Sequence, residues 1–576
     1  MRVAGLATAL SVALALAAIG PPQALAADSS AALSDARQQT GASQDRPPVG
    51  RKISERRAIE IANRDPKVRA TRRRHPDLDP QATPKPTRWE VSYFAGGEQL
   101  ALVFVDDASG EVTESWTGYQ VAWQMARGYP GAFGRKINAP YVWIPLCAVF
   151  LFGLLDWRRP WRIAHLDLLV LLGFGVSHFF FNRAEIGVSV PLVYPVLLYL
   201  MARLLWIGFR GRGQGLRPTA PIAWLAVATL FLVGFRVGLN VVDSNVIDVG
   251  YSGVIGGDRI AHGEQLYGNF PRDNQFGDTY GPAAYYPYVP FELVLPWEGA
   301  WDELPAAHGA AILFDLAALA GLFLLGRRLR PGERGEELGV WLAFAWAAFP
   351  YTAFALESNA NDSLVAALLI ATLLVATSAP ARGALAALAG LTKFASLALV
   401  PMLATYEDEH RSPRRGPALA LFALAFAATA GLLFLQPALD PGLGETFDRT
   451  FGFQASRDSP FSIWGQEGLD GLRVGIEVAV AALAVLLALV PRRKSPVQLA
   501  ALGAALLLGV QLTLQHWFYL YIVWFLPLVI VALAAIEPDQ EEGTGSSSWE
   551  IDSASPSERT STSAAITQTS SSAVSN

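Results

Sequence analysis

From residue 139 onward, long apolar stretches recur along the chain, separated by short polar connectors. They fall at about 139–156, 166–182, 187–207, 220–240, 306–326, 337–356, 361–379, 416–436, 471–490, 496–514 and 517–536. Each approaches the ~20 apolar residues that a helix needs to cross a hydrocarbon core. Residues 51–120 follow a different rhythm. Ser54-Glu-Arg-Arg-Ala-Ile-Glu-Ile-Ala-Asn63 opens with a cap and carries an apolar stripe at helical spacing. After a basic, proline-broken loop, Trp89–Phe94, Gln99–Val105 and Glu111–Trp116 alternate as strands do, with a turn at Asp106-Asp-Ala-Ser-Gly110. The pattern predicts an all-α polytopic membrane protein of about eleven transmembrane helices. A small α+β domain precedes them, on the extracytoplasmic side.

Charge in the connectors gives the orientation. With the N-terminal domain outside, Arg158, Arg159 and Arg162 fall inside, as do Arg210, Arg212 and Arg217, then Arg327, Arg328, Arg330 and Arg334, and finally Arg492, Arg493 and Lys494. This is the expected bias. One segment conflicts with it. Residues 382–405 are apolar enough to span, yet Arg382 precedes them and Arg411, Arg414 and Arg415 follow. A re-entrant pair of short helices, broken near Thr392-Lys393, removes the conflict and is tolerable where protein surrounds it.

The ends read as processing and solvated segments. Met1-Arg-Val, the apolar run Ala4–Ile19 and Ala24-Leu-Ala26 form a signal peptide over 1–27, with an uncleaved anchor as the alternative. Residues 28–50 are a polar linker expected to be disordered, and the Ser/Thr-rich 537–576 a disordered cytoplasmic tail. Across 576 residues, 52% are hydrophobic and only 16% charged, which places the chain in the membrane class. The net charge of −5 carries little information by itself, and the excess of Arg over Lys in a chain rich in Ala, Leu and Gly implies no nucleic-acid partner. A single cysteine, Cys147, rules out an intrachain disulfide.

The most informative connector is 241–305. It carries Asp243, Asp248, Asp258, Asp273 and Asp278 against Arg259 and Arg272, and its Tyr280–Phe291 stretch holds five aromatics. A connector this long is functional or disordered, and the aromatics argue for order. Carboxylates and aromatic faces at an external membrane surface suit a polar, ring-shaped substrate.

Two resemblances sharpen this reading. The helix-then-strands pattern ending Val105-Asp-Asp-x-x-Gly-x-Val112 resembles the PepSY domain over 51–120, a regulatory or binding module. Asp248 shortly after a long helix, Tyr251, Gly263-x-x-x-Tyr267, Tyr280-Gly-Pro282, Asn361-Asp362, Gly390-Leu-Thr-Lys-Phe394 and Ser459-Pro-Phe-Ser-Ile-Trp-Gly465 follow in an order that resembles the GT-C superfamily. It is most similar to the polyprenyl-phosphate-mannose-dependent branch of those glycosyltransferases. The resemblance covers 218–536 and leaves 139–217 as an added three-helix membrane extension. Many relatives have Tyr-Pro-Pro where this chain has Tyr280-Gly-Pro.

The resemblance implies transfer of a sugar, mannose by analogy, from a polyprenyl phosphate donor to an envelope glycolipid, polysaccharide or protein, with inversion. Such a reaction needs a carboxylate to take the acceptor proton and positive charge at the departing phosphate. Asp248 and Asp243 compete for the base; on one helix they would point about 140° apart. The family spacing favours Asp248, leaving Asp243 as a cap or solvated residue. Arg236 lies inside an apolar helix and is a candidate for the donor phosphate, with a structural ion pair or snorkelling as the rival. Lys393 has the same two readings, the structural one favoured. Arg457 and His516 are either phosphate or sugar contacts or interfacial anchors. Tyr251 and Tyr267, which carry the family spacing, are candidate substrate contacts. Asn361 and Asp362 either cap a helix or line the acceptor pocket. Tyr280, Tyr285, Tyr286 and Tyr288 either stack on sugar or belong to an aromatic belt. No His or Cys pairing has metal-ligand spacing, so no protein-only metal site and no cofactor is expected; a divalent cation bridging carboxylates and donor phosphate stays open. The rivals from other classes are a transporter or flippase of lipid-linked intermediates and a non-enzymatic PepSY-type envelope sensor.

Overall fold

The structure is a computed structural model and describes residues 45–128, 135–212, 215–408, 415–457 and 459–536. The expected signal peptide, most of the 28–50 linker and the 537–576 tail lie outside the described residues, as do Arg411 and Arg414.

The N-terminal domain is built on an antiparallel meander of β1 (Asp79–Pro84), β2 (Arg88–Ala95), β3 (Glu98–Asp106) and β4 (Val112–Thr117), in that order. Alternation puts Trp89, Val91 and Tyr93 of β2, with Ala101, Val103 and Val105 of β3, on one face. Helices α1 (Glu55–Ala62) and α2 (Pro66–Arg74) bring Ala58, Ala62 and Val68 into the same core. Asp107 ties the chain start to the sheet, accepting from the Lys52 and Ile53 amides and the Trp89 indole. The opposite face buries Leu102 and Phe104 against Val121, from the segment leaving the domain.

The basic loop expected after α1 is instead ordered. Asp65 caps α2, its carboxylate accepting from the Lys67 and Val68 amides, and Pro66 occupies the first helical turn. Proline is favoured there because its missing N–H would have no helical partner. Arg72, Arg73 and Arg74 form the last turn, where cations suit the helix dipole. β1 was missed because prolines bracket it; it is an edge strand, the position in a sheet that tolerates them.

The remainder is helical and apolar. Among the described residues, seven helices are long and apolar enough to cross a membrane. They include α4 (Ile163–Asn182), α5 (Ile186–Arg210), α6 (Ile222–Asp243) and, further on, Pro305–Leu329, Arg415–Leu433, Asp470–Leu489 and Pro496–Thr513. An eighth candidate is the pair Glu333–Ala348 and Pro350–Glu357, bent by 59°. The stretches expected to span at 139–156, 361–379 and 517–536 are shorter helices: α3 (Pro140–Leu154), Asp362–Leu374 and Ile522–Ala535 after a 3-10 turn. A bilayer-exposed exterior explains why α6 leaves Trp224, Val227, Leu230 and Phe231 uncovered. The segment 382–405 is broken where expected: a helix over Ala379–Thr392 ends at extended Lys393, and 3-10 turns follow from Phe394.

Buried ion pairs lie inside the bundle. Asp167 of α4 meets Arg203 of α5 at 3.0 Å and accepts from Tyr199. Arg236 of α6 meets Asp315 at 2.5 Å, and the Trp346 indole donates to the same carboxylate oxygen at 2.8 Å.

Candidate functional site

Asp243 ends α6 and Asp248 begins α7 (Asp248–His262), so the two carboxylates sit on different helices. The turn between them is bolted to the 357–359 corner. The Asn245 and Ile247 amides donate to the Glu357 and Ser358 carbonyls, and the Asn359 amide donates to Ser244 and to the Asn245 carbonyl. Asn359 holds a left-handed backbone, φ 51°, which asparagine tolerates better than most residues. The first turn of α7 packs so closely here that a β-carbon on Gly250 would lie 2.2 Å from the Asn359 carbonyl oxygen.

The rest of the 241–305 connector is ordered around α7. Tyr267, Tyr285 and Tyr288 are fully buried, which removes Tyr285 and Tyr288 from the set of sugar-stacking candidates. They are the connector's own core: the Tyr285 hydroxyl donates to the Gly277 carbonyl at 2.8 Å, and the Tyr267 hydroxyl donates to the Tyr280 carbonyl at 2.9 Å. These bonds carry Tyr280 toward the broken helix, where a β-carbon on Gly281 would be 2.1 Å from the Leu391 carbonyl oxygen.

Asp248, Tyr280, Asp362, Lys393, Arg457 and His516 form one cluster of interacting groups, and we read the space between them as a recess because Asp248 keeps solvent-exposed surface there. The Lys393 ammonium sits 3.8 Å from the centroid of the Tyr280 ring, and interacts electrostatically with Asp362 and then Asp248. Asp248 is accessible to solvent yet surrounded by protein, as a side chain lining an enclosed recess must be. That desolvation raises its carboxyl above the ordinary carboxylate range, opposed by Arg457, the Val249 amide and Lys393. Among the described residues no direct salt bridge closes between these acids and bases; their charges act across the recess.

Asp362 is held by the Trp524 indole N–H at 2.7 Å, and Trp524 stacks on Tyr521 at 4.1 Å. Neighbouring Asn361 is buried, and its side-chain oxygen has no hydrogen-bond partner. His516 pairs its Nδ1 with the Ser459 hydroxyl at 2.9 Å. Burial and the Arg457 charge keep the imidazole neutral, so it offers a hydrogen bond rather than a positive charge. Burial likewise holds the Tyr280 phenol protonated.

Three candidates from the sequence lie elsewhere. Arg236 is spent on Asp315, the Trp346 and Ala347 carbonyls and Thr352. Asp243 faces Lys136 at 3.3 Å and Arg135 at 3.8 Å. Tyr251 is buried in a separate cluster beside Trp301 and Trp297, its hydroxyl donating to Asp273 at 3.3 Å. Tyr267, a fourth candidate, is buried in the connector's core and touches Tyr280 through its hydroxyl.

Sequence reasoning missed Trp123. It leaves the N-terminal domain and reaches the recess, with the Arg457 guanidinium 5.7 Å from its ring and the His516 ring 5.7 Å away. A lone tryptophan between domains carries no periodic signal, and its partners lie over 300 residues downstream. Tyr521 and Trp524 were hidden in the same way, inside what reads as membrane-spanning sequence. Among the described residues no group of three or more His, Cys, Asp or Glu is placed to hold a metal ion.

No protein-family model matches this chain, and neither does any curated protein.

Proposed function

We propose that the protein is an integral membrane glycosyltransferase of the GT-C type, moving a sugar from a polyprenyl phosphate to an extracytoplasmic envelope acceptor. The observation that carries this reading is the pairing, in one recess, of an accessible, desolvated carboxylate with two cations, Lys393 and Arg457. Asp248 takes the proton from the acceptor hydroxyl as its oxygen bonds to the anomeric carbon. The bond from that carbon to the phosphate oxygen breaks with its electron pair, inverting the centre. Lys393 and Arg457 stabilise the polyprenyl phosphate that leaves. Asp362 and Tyr280 orient the Lys393 ammonium, and neutral His516 with Asn361 supplies hydrogen bonds to sugar. Mannose is the sugar suggested by the resemblance.

The topology that goes with this reading has eleven crossings. They are the seven long helices, the bent pair and three of the shorter apolar helices, with 379–404 re-entrant. The N-terminal domain and the 241–305 connector then face outward, and the basic connectors inward. Under this arrangement the PepSY-like domain stands beside the recess, joined through Trp123, where it can influence acceptor entry.

The test is to supply vesicles containing the protein with radiolabelled polyprenyl-phosphate sugars and envelope acceptors. Label moving to an acceptor supports the reading; folded protein that moves none contradicts it. The second reading is a transporter of lipid-linked intermediates. The buried Asp167–Arg203 and Arg236–Asp315 pairs favour it, because intramembrane charge often marks a transport path. Translocation of the labelled lipid without transfer would select it.

A further inference from the structure

A second cavity, of about 370 Å3, opens between α7 and the end of the 241–305 connector. Val254, Glu292, Trp297, Glu298, Asp302 and Glu303 are among its lining residues, and among the described residues no basic side chain lines it. Glu292 is only 3% exposed. One of its carboxylate oxygens accepts from the Trp297 amide at 3.0 Å; the other is buried with no partner. A buried carboxylate oxygen without a donor is costly unless something supplies one. The Trp297 ring is fixed beside it by its indole N–H, which donates to the Ala300 carbonyl at 2.9 Å.

Size and donor set narrow the occupant. The volume suits a small organic group. A bare divalent ion lacks a cage, since among the described residues no three carboxylates or imidazoles stand close enough to hold one. Carboxylates joined to an indole face are the arrangement that recognises organic ammonium, through charge-assisted hydrogen bonds and cation–π attraction. Leu295, which lines the cavity, is 39% exposed, and the two residues before it, Leu293 and Val294, are 70% and 75% exposed, as at a lipid surface.

We infer that this cavity binds an organic primary ammonium group, which donates to the free oxygen of Glu292 and packs against Trp297. The inference does not depend on glycosyl transfer. The same chemistry is carried by an ethanolamine lipid headgroup and by a soluble amine such as an amino sugar.

The test uses the full-length protein in phosphatidylglycerol nanodiscs. Ethanolamine and glucosamine are titrated by calorimetry against ethylene glycol and glucose, their uncharged counterparts. The inference expects the amines to bind and the counterparts not to, with Glu292→Gln weakening binding roughly tenfold to a hundredfold. Equal heats from amine and counterpart on the unaltered protein would overturn it, whether or not the variant folds. So would unchanged amine binding in a Glu292→Gln protein with a native melting profile. Doping the nanodiscs with phosphatidylethanolamine separates the sources. Competition with ethanolamine identifies the lipid headgroup, and amine binding undisturbed by that lipid identifies a soluble ligand.

Discussion

Lys393 lies with its ammonium 3.8 Å from the centre of the Tyr280 ring, although 113 positions separate them in sequence. The contact joins the acidic connector to the break after Ala379–Thr392, and it sets where the site's positive charge stands. Lys393→Gln removes that charge while keeping most of the side chain. Transfer is expected to fall about a hundredfold or more, the usual loss of a group stabilising developing charge. The assay is initial rate per folded molecule in vesicles.

Gly281 sets the same contact from behind. A β-carbon there meets the Leu391 carbonyl oxygen at 2.1 Å, so the backbone must move and carry Tyr280 with it. Gly281→Ala is expected to lower transfer by at least about tenfold, as small displacements of positioning groups do. Rate measured beside a detergent melting curve separates this from unfolding.

Arg236 is expected to serve stability. Its ion pair with Asp315 is buried on both sides, and removing one partner of such a pair costs about 3–5 kcal/mol. Arg236→Met should therefore destabilise the protein strongly in denaturant titration. Arg236→Met with Asp315→Leu should recover most of that loss, and transfer per folded molecule should be unchanged in both.

How far the sequence revealed this site depends on how each residue signals itself. Asp248, Lys393 and Arg457 stood out because ionisable groups near apolar segments are conspicuous, although the sequence alone favours a structural role for Lys393 and interfacial anchoring for Arg457, and the helix break at Lys393 was expected from misplaced arginines. Arg236 looked just as conspicuous, but its partner Asp315 stands 79 residues away and no local pattern links them. The tyrosines of 280–288 were ambiguous because burial and display use the same residue type; only packing separates half-buried Tyr280 from buried Tyr285 and Tyr288. Helix lengths were overestimated where an apolar run contains a turn. Pro350 bends one run, and Asp362–Leu374 covers only part of 361–379. The coarse fold class, a mostly helical apolar chain with a small N-terminal sheet, was legible, since hydrophobic period and length determine it.

The pH profile follows from Asp248. Desolvation raises its carboxyl above the ordinary range of about 4. A base works only when deprotonated, so transfer should fall as pH drops, with the midpoint of the acid limb above that range. An acid limb at or below about 4 would mean that Asp248 is not the titrating base.

The most direct test compares two substitutions five positions apart, Asp248→Asn and Asp243→Asn, in vesicles supplied with labelled polyprenyl-phosphate sugar. Loss of transfer by about a hundredfold to ten-thousandfold in the first, with insertion and melting intact, is the predicted result. The second, whose carboxylate faces Lys136 and Arg135, should stay near full activity. Near-normal turnover by Asp248→Asn would contradict the assignment.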